Sequence, residues 1–129
     1  MRSILGKEEK LKHRKLIEQL FKEGLRINSN GIQLVYLKIQ HKGTFPIKVG
    51  FSVPKRIMKL AVDRNRLKRR MREVYRKNKH LFYKNISEQY IFMFIYTAKD
   101  ELKYLEIEEL ILNLQLKFIN KIEENEKKI

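Results

Sequence analysis

Residues 63–80 read DRNRLKRRMREVYRKNKH, the densest run of charge in the chain. No Gly or Pro interrupts it, and it reads as a helix. Asp63 is placed to cap the start, because a short side-chain oxygen can accept one of the unpaired N–H groups of a first turn. Leu67, Met71, Val74 and Leu81 recur at i, i+4, i+7 and i+14 and draw one apolar stripe. At about 100° per residue, Asn65, Lys68, Arg69, Arg72 and Arg76 fall on a different face. The helix is therefore expected to rest on a body with one side and to show an arginine-rich strip on the other. A face that is only solvated mixes its signs, because like charges at i,i+4 repel. Here Asp63 and Glu73 are the only acids. The guanidinium fork binds phosphate in a bidentate way and stacks on bases, and a helix start adds partial positive charge. A polyanion is the natural partner.

The rest of the composition agrees. The chain has 129 residues, which suits one domain with a modest core. Hydrophobic residues make up 43%, too many for a disordered basic tail. The net charge is +15 and the pI about 10.1, the footprint of a nucleic-acid binder. The charge is uneven: residues 55–80 hold 12 Lys/Arg against 2 acids, whereas residues 81–129 hold 7 against 9. One surface is thus strongly positive, and the C-terminal third stands apart from it. Cysteine is absent, which excludes disulfides and thiolate metal sites and fits a reducing cytoplasm. No apolar run reaches the roughly 18 residues of a membrane span, and the first nine residues lack the apolar centre of a signal peptide.

Along the chain, residues 1–12 are expected to fray. His13 to Glu23, with Leu16, Ile17, Leu20 and Phe21, reads as an amphipathic helix stopped by Gly24. Leu25 to Asn28 reads as a short extended piece, and Asn30-Gly31 as a turn. Ile32 to Ile39 is a strand with Ile32, Leu34, Tyr36 and Lys38 on one side and Gln33, Val35, Leu37 and Ile39 on the other. His41 to Thr44 reads as a hairpin loop into the next strand, Ile47 to Val53. Pro54 to Val62 is a basic loop. Gln89 to Thr97 is almost continuously apolar, the mark of a central strand buried on both faces. Tyr104 to Ile122 closes the chain as a helix packed through Leu105, Leu112, Leu116 and Ile119, with residues 123–129 frayed. The order α-β-β-β-α-β-α describes one α+β domain, an αβ sandwich of about four strands spanning residues 1–129.

Two segments carry a resemblance. Lys48-Val49-Gly50-Phe51-Ser52-Val53-Pro54-Lys55-Arg56, followed by Ala61-Val62-Asp63-Arg64-Asn65-Arg66-Leu67-Lys68-Arg69 and Arg72, resembles the bacterial ribonuclease P protein component. That family shows V-G-[LF]-S-V-x-K-[KR] and A-V-x-R-N-R-[IL]-K-R-x-x-R. The likeness covers roughly residues 10–122, including Leu20-Phe21-Lys22-Glu23-Gly24. It implies an αβ sandwich with a left-handed βαβ crossover, against the common right-handed rule. It implies a partner, a large catalytic RNA that carries the catalytic centre and binds Mg²⁺. It also implies a substrate, precursor tRNA, whose 5′ leader is removed by hydrolysis of one phosphodiester. Carried over, the RNA-facing residues are Arg64, Asn65, Arg66, Lys68, Arg69 and Arg72, and the helix face adds Arg76. Arg66 lies off the main basic face, which leaves bracing of the fold open as its role. The leader cleft would be Ile17, Phe21, Leu34 and Tyr36, with Lys55 and Arg56 nearby. Ile17 stands where the family often has an aromatic ring.

The sequence offers no catalytic or metal-binding constellation of its own. His13, His41 and His80 lie far apart and read as surface residues. Glu106, Glu108 and Glu109 complement the dipole of a helix start. There is no Gly-rich phosphate loop. Two other readings stay open on composition: a basic structural RNA binder of ribosomal type, and a DNA-binding regulator using the arginine helix for recognition. Against the latter, a strand and a basic loop precede that helix, not a helix-turn-helix. Neither DNA nor a membrane is expected as a partner.

Overall fold

The strand YIFMFIY, residues Tyr90–Tyr96, has no polar side and needs cover on both faces. In the computed structural model it is the third strand across a four-stranded sheet of order β1-β2-β4-β3. The elements in chain order are a short 3-10 helix (Lys7–Glu9), α1 (Arg14–Glu23), β1 (Leu25–Ser29), β2 (Ile32–Lys38), β3 (Ile47–Ser52), α2 (Ala61–Tyr83), β4 (Tyr90–Tyr96) and α3 (Tyr104–Lys127). The structure describes residues 5–41, 44–84 and 86–127, with side chains to residue 124. β2 runs antiparallel to β1 and β4, with Ile32 opposite Tyr96 and Lys38 opposite Tyr90. β3 runs parallel to β4, Ile47 opposite Tyr90 and Ser52 opposite Ile95. α2 is the crossover between these two parallel neighbours.

This order corrects one expectation. β2 and β3 are not a hairpin, because β4 lies between them. A strand apolar on both sides gains most from the central position, where sheet neighbours and helices enclose it. Residues 42 and 43 of the expected loop lie outside the described residues, as do residues 1–4 and 128–129.

The sheet separates two apolar layers. One face carries Ile27, Leu34, Tyr36, Val49, Phe92, Phe94 and Tyr96 against Leu67, Met71, Val74, Tyr75 and Phe82 of α2 and Ile107, Ile111, Leu114 and Phe118 of α3. Its aromatic rings meet edge to face, with Phe92 and Phe118 centroids 4.9 Å apart, a geometry that adds about 0.5–1.5 kcal/mol per pair beyond burial. The other face carries Val35, Ile91 and Met93 with Leu11, and Leu16, Ile17 and Leu20 of α1 pack there. Gly24 ends α1 by donating its N–H to the Leu20 carbonyl at 2.8 Å.

Four further expectations change. α2 starts at Ala61 with Leu60 in the capping position, so Asp63 lies inside the first turn and pairs with Arg66 at 3.4 Å. In α3, Leu105 and Leu116 are exposed, at 73% and 61%. Its buried face is Ile107, Ile111, Leu114, Phe118, Ile119 and Ile122, the set that repeats at 3–4 residues when counted from Ile107. α3 also continues to Lys127 where fraying was expected. At the other end, residues 5–11 are packed: Leu5, Glu9 and Leu11 are buried, Lys10 bridges Val49 in parallel, and the Leu11 N–H donates to the Val49 carbonyl at 2.9 Å.

The β1–β2 turn depends on Gly31. Its φ is +124°, and a Cβ there would lie 3.2 Å from both Ala98 Cβ and Leu110 Cδ1. Gly31→Ala is expected to destabilise the fold by roughly 1–3 kcal/mol, read as a lowered urea midpoint with an unchanged slope.

Candidate nucleic-acid interface

α2 buries Leu67, Met71, Val74, Tyr75 and Phe82, and this fixes which cations face out. They divide into two groups. One group braces the fold. Arg64 donates to the carbonyls of Met58 and Lys59 at 3.0 and 2.7 Å, closing the turn before the helix. Arg66 pairs with Glu101 as well as Asp63, and Arg70 donates to the Leu102 carbonyl at 2.8 Å. Lys77 lies 5.4 Å from the Tyr104 ring centroid. Arg66, Arg70 and Lys77 thus tie α2 to the start of α3. Arg76 is paired with Glu73 at 2.8 Å, which holds the Glu73 carboxyl below its ordinary range.

The second group is available. Asn65 and Arg69 are exposed and Lys68 is half-buried, with no ion pair among the described residues. Arg72 has its guanidinium carbon 6.0 Å from the Phe51 centroid, which steadies the fork and leaves its N–H edges free. Lys55 and Arg56 are exposed in the turn after β3. Of the residues expected to face RNA, the structure therefore presents Asn65, Lys68, Arg69 and Arg72 outright. It engages Arg64, Arg66 and Arg76 in internal bonds.

The expected cleft needs a larger correction. Leu34 and Tyr36 are fully or nearly fully buried, at 0% and 4%, beneath α3, and the Tyr36 ring stands edge-on to Phe118 at 5.2 Å. Neither side chain can meet a base. Ile17 and Phe21 belong to the opposite face. Successive strand residues point to opposite sides, so a shift of one residue exchanges the whole set. The β2 residues on the α1 face are Gln33, Val35 and Leu37. Phe21 is 41% exposed, with the Arg26 guanidinium carbon 5.9 Å from its centroid. Arg26 in turn donates to Gln33 Oε1 at 2.7 Å. On β3 the Met93 side chain covers Gly50, where a Cβ would meet Met93 Cε at 2.8 Å. Phe21, Arg26 and Gln33 thus form one connected set on the sheet face that carries α1. The alternation Gln33-Val35-Leu37 carried that signal.

His41 is buried at 9%, not on the surface as expected. Burial holds its imidazole below its ordinary range, and a hydrogen bond with the Pro46 carbonyl works against that. His13 and His80 are exposed. The Glu106 carboxylate accepts the Lys103 N–H at 3.0 Å at the start of α3.

Glu9 was missed by sequence reading. Its carboxylate is 1% exposed and accepts Lys79 Nζ at 2.7 Å, Tyr83 OH at 2.9 Å and the Gly6 N–H at 2.9 Å. Burial pushes this carboxyl up, yet the hydrogen bonds from Lys79, Gly6 and Tyr83 outweigh it and hold the group below its ordinary 4.5. Residues 5–11 are thereby tethered to the far end of the arginine helix.

A cationic strip on a long helix, backed by a small three-layer αβ body, defines a polyanion-binding protein. The ribonuclease P family model matches residues 5–120, and the chain belongs to that family. The ribonuclease P protein component of Chlorobaculum tepidum is 29% identical over 107 residues, which are 75% of this chain and 70% of that protein. The one from Porphyromonas gingivalis is 37% identical over 89 residues, 68% of this chain and 64% of that protein. The ribonuclease P protein of Thermotoga maritima superposes with a TM-score of 0.66 at 26% identity, covering 83% of this chain and 94% of that one. The chain is accordingly an accessory protein subunit of an endoribonuclease, and its partner is RNase P RNA.

The tether has a definite pH dependence. A carboxyl lowered in the folded state adds stability that is present above its unfolded pKa and lost as pH falls through the folded one. Docking of residues 5–11 should therefore weaken below about pH 4.5. Glu9→Ala should weaken it at neutral pH by roughly 3 kcal/mol. Amide exchange at Lys10 and Leu11 is the measurement, and unchanged protection in the variant would refute it.

Proposed function

We propose that the chain binds the 5′ leader of precursor tRNA along the α1 face of the sheet while Asn65, Lys68, Arg69 and Arg72 hold the catalytic RNA. The holoenzyme then removes the leader by Mg²⁺-dependent hydrolysis. The observation that supports this reading is the one-sided outward strip of α2, beside cations that brace the fold. Its cations lower the repulsion between leader phosphates and catalytic RNA, and binding should be steeply salt-dependent. Phe21, held beside Arg26, offers a stacking surface that does not select sequence. Among the described residues no three His, Asp or Glu side chains converge to hold a metal ion. In this reading Mg²⁺ is bound mainly by the RNA subunit. The site of action is the cytoplasm.

Reconstitution with RNase P RNA tests the reading. The protein alone should cleave nothing, and together they should process precursor tRNA at lower Mg²⁺ than the RNA alone. Lys68→Ala with Arg72→Ala should keep the fold and reduce the magnitude of the log K against log salt slope by about 2; an unfolded variant would make those side chains structural.

The corrected face makes its own forecast. Phe21→Ala should weaken leader binding by about 1–3 kcal/mol, and Tyr36→Phe should leave it unchanged. Fluorescence anisotropy with precursor tRNAs of differing leader length separates the two.

A further inference from the structure

A polar cavity of about 640 Å³ lies away from the arginine strip, between the β1–β2 turn and the middle of α3. Asn28, Asn30 and Gly31 form one wall, and Glu109, Asn113 and Lys117 the other, with Thr97 at one end and Leu110 at the floor. Its volume falls in the range of about 300–1,000 Å³ that suits small ligands.

The helix wall is ordered. Glu109, Asn113 and Lys117 stand at i, i+4 and i+8, so a carboxylate, an amide and an ammonium succeed one another along one line. At 1.5 Å per residue that line is about 12 Å long. The two walls are tied together. Ser29 Oγ donates to Asn113 Oδ1 at 3.2 Å, and Lys117 Nζ donates to the Asn28 carbonyl at 2.7 Å. The Gly31 carbonyl accepts the N–H groups of Thr97 and Ala98 at 2.9 and 3.1 Å. These bonds fix the spacing of the walls and leave the Asn113 amide NH₂, two protons of Lys117 and the Glu109 carboxylate without a partner among the described residues.

A matching ligand has hydroxyl donors at one end and an anionic group at the other, roughly 6 Å apart, which with a hydrogen bond of about 3 Å at each end spans the helix wall. A ribonucleotide meets that description. A carboxylate is the group that holds ribose hydroxyls in nucleotide sites, and contact with the 2′-OH is what separates RNA from DNA. We propose that this cavity is a ribonucleotide subsite in which Glu109 accepts the ribose hydroxyls, Asn113 donates to the base or sugar, and Lys117 takes the phosphate. Register places it at the same end of the sheet as Lys55 and Arg56: Ile32 pairs with Tyr96, and Ser52 with Ile95. A single strand crossing that end can reach it. The proposal extends the RNA-binding reading to a second surface and is measured at different residues.

The test is an amide chemical-shift titration of the full chain with AMP, 2′-deoxyAMP and inorganic phosphate. AMP should shift Asn30, Gly31, Glu109 and Asn113 in a saturable way, and 2′-deoxyAMP should bind there about tenfold more weakly, as for loss of one charged hydrogen bond. Glu109→Gln should remove most of that preference while its unfolding midpoint stays at the parent value. Equal binding of both nucleotides, or a preference unaffected by Glu109→Gln, overturns the proposal. Shifts confined to α2 overturn it as well and leave the RNA-binding reading standing. Binding by phosphate alone at Lys117 with the same affinity as AMP would reduce the cavity to a simple anion site and also overturn it.

Discussion

The enclosure of β4 governs this molecule. Seven apolar residues in a row cannot lie on a sheet surface, so the strand needs a partner on each edge and cover on each face. The two edges are met by β2 and β3. The faces are met by α1 on one side and by α2 with α3 on the other. Once α2 is committed to that face, Leu67, Met71 and Val74 point inward, and the rotation of the helix is set. The outward direction of Lys68, Arg69 and Arg72 follows from the burial of other residues.

The cations of α2 divide by that same rotation. Those turned toward α3 meet Glu101, the Leu102 carbonyl and the Tyr104 ring. Those turned away meet solvent or, for Arg72, the Phe51 ring. A surface ion pair contributes little by itself. The bracing group matters for geometry, because it ties α2 to the start of α3. Like-charged neighbours on the open side weaken the isolated helix. The aromatic core beneath, where Phe82 meets Phe92 and Phe94 and Phe92 meets Phe118, offsets that.

Local rules carried the elements well and their relations less well. α1, the strands and α2 were legible because Gly24, Asn30-Gly31 and the absence of breakers in 63–80 act over a few residues. The central position of β4 was legible from its lack of a polar side. The pairing of β2 with β4 instead of β3 was not, since it depends on which contact buries more, and a loop of turn-forming residues looks alike in both cases. Leu34 and Tyr36 show the same limit: the alternation was read, but neither side of β2 is clearly polar, so the covered side could not be chosen. Leu105 and Leu116 misled because leucine spacing alone does not say which of two apolar stripes faces the core. Glu9 gave no signal, as its partners Lys79 and Tyr83 are 70 and 74 residues away.

The packing of residues 5–11 has a consequence for self-association. A sheet ends in a row of backbone groups that another chain can copy, the usual route to edge-to-edge aggregates. On β3 part of that row is closed by Lys10 and Leu11. On β1 the Asn28 carbonyl is occupied by Lys117. The segment held by Glu9 thus covers part of the β3 edge against a second chain.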